Sequence, residues 1–192
     1  MKNRKPKPRV LIIECGGTIT MMPDGHGGLG PAKTIRNIAR MVPTLTEWAH
    51  VELMQLENRD STDLNPTHRT KFSLAIADAV ESKKYDGIIV THGTDTMAYS
   101  ATAAAFVLGK DLPIPVVFTG SQLPLVHFGT DARFNLENAM KTILEAHARG
   151  VAEVMIVFNK RVLRGARAIK VEDVDFLAFN SPSLPPLATI SA

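Results

Sequence analysis

Residues 90–100 read VTHGTDTMAYS, and the pattern changes abruptly within this stretch. The apolar run that ends at Val90 is typical of a buried strand, and helix-forming residues resume after Thr96. The polar residues between them could serve only to cap the following helix. In α/β proteins, however, ligands bind at the carboxyl ends of parallel strands, so the stretch also indicates a site.

The rest of the chain repeats this alternation of strand and helix. Apolar runs predict strands at residues 9–14, 51–56, 85–91, 114–119 and 152–158, and helices are predicted at 34–41, 65–83, 95–108 and 131–148. Asn65 and Asp131 are the expected helix caps, a short hairpin is expected at residues 161–169, and residues 180–192 have the composition of a linker. Apolar strands separated by helices predict an α/β fold of three layers, with helices flanking a mostly parallel sheet.

The predicted strands end in small or polar residues. Because parallel strands present their carboxyl ends at one edge of the sheet, these residues are expected to converge on a single crevice. A single polar strand end is explained by helix capping, whereas several facing one crevice indicate a binding or catalytic site. The four strand ends are Gly16-Gly17-Thr18, Ser61-Thr62, Thr94-Asp95 and Gly120-Ser121.

Composition limits the classes of protein that the chain can be. Its 192 residues suffice for one domain, and 45% hydrophobic with 21% charged residues is typical of a globular protein. Five Lys or Arg residues fall within residues 1–9, which we interpret as a solvated tail and not as a nucleic-acid-binding arm. No apolar stretch approaches the roughly 18 residues of a membrane span, so no membrane partner is predicted. Cys15, the only cysteine, is expected to be buried and unreactive.

Several common chemistries lack their motifs. The phosphate-binding patterns GxGxxG and GxxxxGK[ST] do not follow the first strand, and GxSxG is absent. Histidine and cysteine spacings typical of metal sites do not occur, so no metal is predicted. His26, His92 and His127 are scattered and are expected to be structural. A hydroxyl nucleophile would then need a neighbouring base or a lysine held neutral by burial, and Lys170 is a candidate.

Several motifs in order resemble those of the bacterial-type L-asparaginase/glutaminase family, most closely its cytoplasmic type I branch. The resemblance covers nearly the whole chain after Arg9. The combination of HGTDT with GGTI well upstream, at the end of the first strand, is specific. The matching motifs are GGTI at 16–19, HGTDTM at 92–97, TGSQLP at 119–124, Asp131 through Leu136, Arg164 through Lys170, and Ser181 through Pro186.

The resemblance implies hydrolysis of L-asparagine to L-aspartate and ammonia without a cofactor. It places the nucleophile on Thr18 and a second catalytic threonine on Thr94, which works with Lys170. Asp95 is expected to hold the α-ammonium group of the substrate, and Ser61 to help bind its α-carboxylate. Further substrate contacts are expected from Thr62, Gly17, Gly93 and Ser121.

Elementary chemistry agrees with these roles. A zwitterionic amino acid needs a carboxylate for its ammonium group and hydrogen-bond donors for its own carboxylate. Cleavage of an amide passes through an oxyanion, which backbone N–H groups near Thr18 and Thr94 could stabilise. Lys170, if desolvated beside Asp95, could accept a proton from Thr94. These considerations leave open whether Thr18 attacks directly or Thr94 activates a water.

The chain departs from the family pattern in two respects. The loop after GGTI normally carries a tyrosine, but residues 24–31 read DGHGGLGP, in which His26 is a candidate substitute and Leu29 lies near the expected position. The family also has a smaller C-terminal domain. We therefore expect a tail at residues 1–8, an N-terminal asparaginase-like domain at 9–180 and the start of an interdomain linker at 181–192, with the C-terminal domain absent from this chain.

Three functions remain open at this stage. The first is a cytoplasmic asparaginase, a homo-oligomer when full-length, whose site is completed by the C-terminal domain. The second is a glutaminase or the ammonia-generating subunit of an amidotransferase. The third is a catalytically silent amino-acid-binding module, which the missing tyrosine favours and the retained threonines and lysine oppose.

Overall fold

A seven-stranded sheet forms the centre of the protein, as seen in a computed structural model that describes residues 6–23, 28–30 and 38–191. In spatial order the sheet runs β11-β8-β7-β6-β5-β1-β4. Its strands are β1 (Arg9–Gly16), β4 (His50–Arg59), β5 (Gly87–Thr91), β6 (Val116–Thr119), β7 (Val154–Phe158), β8 (Arg161–Arg164) and β11 (Ala188–Thr189).

The predicted mostly parallel α/β sheet is confirmed. Strands β4, β1, β5, β6 and β7 are neighbours in that order and pair in parallel, with Ile13 opposite both Met54 and Val90. Their carboxyl ends therefore lie along one edge, as the sequence predicts. The observed ends of these strands differ from the predicted ends by at most three residues.

Helices cover both faces of the sheet and complete three layers. One face packs against α3 and α4 through a cluster that includes Phe72, Ile76 and Met97. The other face packs against α2 and α5 through a cluster that includes Leu45 and Leu136. The helices are α1 (Ile38–Met41), α2 (Thr44–Trp48), α3 (Pro66–Glu81), α4 (Thr94–Leu108) and α5 (Ala132–Arg149).

Both residues predicted as helix caps occupy the N-cap position, but only Asn65 caps its helix through its side chain. The Asn65 side chain accepts from the backbone N–H of His68 at 3.2 Å, so the predicted cap of α3 is confirmed. Asp131 makes no capping hydrogen bond to α5, and Thr130 Oγ1 instead accepts from the N–H of Ala132 at 3.0 Å. Asp131 thus stands at the start of α5 as predicted, but the expected side-chain cap is absent because its carboxylate is engaged by backbone groups of residues 122 and 123.

Two local predictions need correction, and one helix was not predicted. The expected hairpin within residues 161–169 is instead formed between β7 and β8, which pair antiparallel. Within the predicted linker, β11 pairs antiparallel with β8 at the edge of the sheet. The α2 helix was not predicted, and of the predicted helix at 34–41 only α1 falls within the described residues.

Short two-residue strands complete the fold. β2 (Met22–Pro23) pairs with β3 (Leu29–Gly30), and β9 (Ile169–Lys170) pairs with β10 (Phe179–Asn180). The β9–β10 pair positions Lys170 beside α4. Among the described residues, no helix combines the length and apolar character that crossing a bilayer requires.

Candidate active site

Two glycines bring the ends of β1 and β5 into contact. Gly17 has φ +87°, a conformation that only glycine adopts readily. A methyl group added at Gly17 would collide with the backbone nitrogen and Cα of Gly93. This close approach places Thr18, which begins the 3-10 helix Thr18–Thr20, beside the start of α4 at Thr94. The structure thus brings together the two threonines that lie 76 positions apart in the sequence.

Ser61 forms a third side of this junction. Its side chain lies against Gly93, where an added methyl group would fall 2.5 Å from Ser61 Oγ. Ser61 is buried, and its hydroxyl has no hydrogen-bond partner. Since buried polar groups are normally paired, an unpartnered hydroxyl at this junction is a candidate for contact with a ligand. Thr62 differs, because its exposed hydroxyl already donates to Asp60 at 2.9 Å.

The first turn of α4 is left without a side-chain cap. Its N-cap residue is Gly93, which has no side-chain acceptor and makes no side-chain capping hydrogen bond. The first N–H groups of a helix have no intrahelical partner and carry the positive end of the helix dipole. An oxygen-bearing ligand in the crevice can therefore accept from them. Thr94 is the first residue of this turn and Asp95 the second.

Lys170 is paired with two carboxylates. Its Nζ lies 2.6 Å from Asp95 Oδ1 and 3.2 Å from Asp173 Oδ1. The lysine side chain is only 14% exposed, and burial by itself would lower its pKa. The hydrogen bonds to Asp95 and Asp173 outweigh burial, so the pKa of Lys170 is raised above its usual value. In the resting site Lys170 is thus an ammonium ion and not the neutral amine that a base requires.

The loop after β6 contributes a residue that the sequence analysis did not assign. Gln122 accepts from the hydroxyl of Thr94, with Thr94 Oγ1 and Gln122 Oε1 3.4 Å apart. Its side-chain nitrogen donates to the backbone carbonyls of Asp173 and Asp175. Ser121 next to it is buried, and its hydroxyl donates to the carbonyl of Leu123 at 2.6 Å. The Ser121 hydroxyl therefore uses its proton within the loop.

A buried polar network holds this loop in place. The carboxylate of Asp131 accepts from the N–H groups of Gln122 and Leu123 at 3.0–3.1 Å. Asn135 donates to both Asp131 Oδ2 and the carbonyl of Gly120, and its own oxygen accepts from the N–H of Asn159. Asp131, which the sequence suggested as a helix cap, and Asn135 thus fix the position of Gln122.

Two other buried polar groups near the strand ends are outside this chemistry. Burial lowers the pKa of His92 to about 4, although a hydrogen bond from Nδ1 to the carbonyl of Gly93 offsets part of that effect. His92 is therefore neutral at physiological pH and structural, as expected. Burial raises the pKa of the Cys15 thiol, which lies in the core. It is accordingly not a reactive cysteine.

The remaining expectations concern the loop after GGTI, metal ligands and His127. His26, the candidate substitute for the missing tyrosine, lies outside the described residues, as does the side chain of Leu29. Within the described ranges, no group of three His, Cys, Asp or Glu residues could hold a metal ion. His127 lies in an exposed loop, where Nδ1 contacts the carbonyl of Phe128.

An open, mostly parallel sheet with a polar crevice at its central strand ends is the architecture of α/β proteins that bind small molecules. The chain belongs to the asparaginase family, whose model "Asparaginase, N-terminal" matches residues 9–192. This match confirms the resemblance that the motifs indicated.

Known relatives differ in what their names say they do. L-asparaginase 1 of Escherichia coli (strain K12) is 35% identical over 94% of this chain and 53% of its own length. A glutamyl-tRNA(Gln) amidotransferase component from Aeropyrum pernix is 36% identical over 95% of this chain and 44% of its own. A 60 kDa lysophospholipase of Mus musculus is 34% identical over 97% of this chain and 36% of its own length. The chain thus spans between about a third and a half of these curated relatives.

Solved structures support the fold. The thermostable L-asparaginase from Thermococcus kodakarensis superposes with a TM-score of 0.82 at 31% sequence identity. The match covers 95% of this chain and 54% of that one. The three-layer arrangement is therefore that of an asparaginase N-terminal domain.

Proposed function

We propose that the protein hydrolyses the side-chain amide of L-asparagine to L-aspartate and ammonia. The observation that carries this proposal is the ion pair of Lys170 with Asp95, directly after Thr94 and across the Gly17–Gly93 contact from Thr18. Two hydroxyls, a carboxylate and a lysine at one strand-end crevice exceed what amino-acid binding alone requires. Because the chain spans about half of the asparaginases it matches, we propose that a C-terminal domain completes the site.

The crevice offers complementary groups for a zwitterionic amino acid. Asp95 uses Oδ1 for Lys170, and its side chain is 46% exposed, so the second oxygen can accept from a substrate ammonium group. The unpartnered Ser61 hydroxyl can donate to the α-carboxylate. The uncapped N–H groups of α4 can stabilise an oxyanion in the transition state.

In the proposed reaction Thr18 Oγ attacks the side-chain carbonyl carbon of asparagine. The carbon–nitrogen bond then breaks, the nitrogen leaves as ammonia with the proton that Thr18 released, and an ester to Thr18 remains. Water attacks this ester, which restores the Thr18 hydroxyl and releases aspartate. Thr94 and Lys170 transfer protons during these steps. Lys170 must first lose the proton that its ion pairs with Asp95 and Asp173 stabilise.

Two alternatives each have an observation in their favour. The 36% identity to a component of an amidotransferase favours a glutaminase or ammonia-generating role. The absence of tyrosine from residues 24–31 favours a silent amino-acid-binding module. We further propose that the full-length protein acts in the cytoplasm as a homo-oligomer, in line with the similar solved structure of a probable cytoplasmic L-asparaginase from Campylobacter jejuni.

Ammonia release from L-asparagine and L-glutamine by the full-length protein tests the proposal. We expect faster release from asparagine, and its loss in Thr18→Ala. Thr70→Ala is the matched control, because Thr70 is exposed on α3 and its hydroxyl bonds only to the Pro66 carbonyl. Faster release from glutamine would favour the second function. Amino-acid binding without release, unchanged in Thr18→Ala, would favour the third.

A further inference from the structure

Gln122 joins three parts of the molecule through one side chain. Its oxygen accepts from Thr94 at the start of α4. Its nitrogen donates to the backbone carbonyls of Asp173 and Asp175 at 2.9 and 3.1 Å, which uses both of its hydrogens. The Asp131 carboxylate fixes the loop that carries Gln122. The Gln122 side chain therefore connects this fixed loop to the segment after β9.

We propose that Gln122 is a positioning residue that ties residues 171–177 to the end of β6. In doing so it holds Asp173 against Lys170 and keeps its own oxygen against Thr94. The proposal rests on the proposed function only in treating Thr94 and Lys170 as the proton-transferring pair. The proposal adds that Gln122 couples the orientation of Thr94 to the carboxylate environment of Lys170.

The segment itself explains why such a tether is needed. Residues 171–177 are all exposed, and Asp173 has a side chain that is 92% exposed. The other hydrogen bonds of this segment are local: the N–H groups of Val171 and Glu172 donate to the Ala178 carbonyl, and the N–H of Leu177 donates to the Asp175 side chain. An exposed carboxylate on an exposed segment loses side-chain and backbone entropy when it stays beside a lysine. The two hydrogen bonds from Gln122 reduce that loss by ordering the backbone at Asp173.

The Thr94 contact gives the tether a consequence for chemistry. While the Thr94 hydroxyl donates to Gln122, its proton points toward the amide oxygen and its lone pairs point elsewhere. Residues 171–177 and the Thr94 hydroxyl therefore share one partner. A displacement of the segment would change both the carboxylate environment of Lys170 and the orientation of the Thr94 proton.

Two substitutions separate the functions of this side chain. Gln122→Met keeps the length of the side chain and removes every hydrogen bond that the side chain makes. Gln122→Glu keeps an oxygen acceptor for Thr94 but replaces the donor to the two carbonyls with a negative charge. Gln55→Met is the matched control, since Gln55 is the only other glutamine in the sequence and lies exposed on β4.

Hydrogen exchange and NMR titration of the full-length protein test the tether without turnover. We expect roughly tenfold faster exchange at the amides of Val171, Glu172 and Leu177 in both Gln122 variants, because the two hydrogen bonds from the Gln122 side chain to the carbonyls of this segment are lost. Lys170 should titrate at lower pH in Gln122→Met, since Asp173 is then freed while Asp95 stays in place, whereas the negative charge added in Gln122→Glu should offset this shift. Gln55→Met should change neither measurement.

Turnover of L-asparagine adds a third readout. We expect kcat to fall roughly tenfold in both Gln122 variants while KM changes less than about threefold, because Gln122 orients reacting groups and does not hold the substrate. Unchanged exchange in Gln122→Met would overturn the tether, and so would faster exchange in that variant with an unaltered Lys170 titration. If wild-type protein releases no ammonia, the proposed function fails, whereas exchange and titration still test the tether.

Discussion

Lys170 and Asp95 stand 75 residues apart in the sequence, yet Lys170 Nζ lies 2.6 Å from Asp95 Oδ1. The pair joins the short strand β9 to the first turn of α4, directly beside Thr94. Asp173 adds a second carboxylate at 3.2 Å, and together the two keep Lys170 protonated. Activity that depends on a neutral lysine should therefore increase with pH.

The Asp173→Asn substitution tests this dependence on pH. Removing one of the two carboxylates lowers the pKa of Lys170, so neutral lysine becomes available at lower pH. We expect the alkaline rise of kcat to move to lower pH by less than about one unit, because an exposed ion pair contributes at most ~1 kcal/mol. The measurement is kcat for L-asparagine against pH. The neighbouring exposed Glu172 supplies the control Glu172→Gln, and an equal shift in that variant would contradict the account.

Ser61→Ala should separate substrate binding from folding. The Ser61 hydroxyl is buried and unpartnered, so its removal should leave the free energy of unfolding unchanged or slightly higher. If the hydroxyl donates to the substrate carboxylate, KM should rise by roughly 10- to 100-fold, as expected for a hydrogen bond to a charged group. Steady-state kinetics and urea unfolding measure the two effects. Ser100→Ala removes another buried, unpartnered hydroxyl from α4, and a comparable rise of KM there would count against the role of Ser61.

Gly17→Ala should abolish turnover by separating the two strand ends. The added methyl group collides with the backbone of Gly93, which cannot yield without moving Thr94. Gly109→Ala is the matched control, because Gly109 also has positive φ, at +67°, but faces open space. We expect Gly109→Ala to cost about 1–2 kcal/mol of unfolding free energy and to keep its activity. Activity in Gly17→Ala similar to that of Gly109→Ala would show that the contact is dispensable.

Glu14→Gln should change how stability depends on pH. Glu14 is 2% exposed on β1, and burial raises its pKa from 4.5 to about 7. The native state then binds more protons than the unfolded state between these values, so wild-type stability falls as pH rises from 4.5 to 7. The variant should match wild type near pH 4.5 and exceed it at pH 8 by up to ~3 kcal/mol.

Urea unfolding at both pH values measures the Glu14 effect. The exposed Glu81 on α3 provides the control, Glu81→Gln, which should follow wild type at both pH values. A constant difference between Glu14→Gln and wild type across this range would mean that Glu14 is ionised in the native protein already at pH 4.5.

The sequence predicts the framework of the site because strand ends obey a local rule. Apolar runs mark the parallel strands, and whatever follows each run lies at the same edge, which is how Thr18, Ser61 and Thr94 meet. The helix cap at Asn65 is equally local, since its partner His68 is three residues away.

The remaining contacts depend on tertiary placement and leave little signal in the sequence. Gln122 reaches Asp173 across 51 residues, and no periodicity or spacing connects them. Asp131 has the residue type and position of a helix cap, but tertiary contacts with the loop after β6 override that local preference. The pairing of β11 with β8 similarly depends on the edge of a sheet that residues 181–192 do not reveal by themselves.

The most direct test of a single site formed by two threonines is a double-mutant cycle on kcat for L-asparagine. Thr18→Val and Thr94→Val each remove a hydroxyl with little change of volume, and both substitutions are combined in the double variant. Groups that act as a unit lose most of the activity on the first substitution. We expect each single variant to fall to background and the double variant to be no slower than either. Independent, multiplicative losses, or substantial turnover by Thr18→Val, would contradict the account.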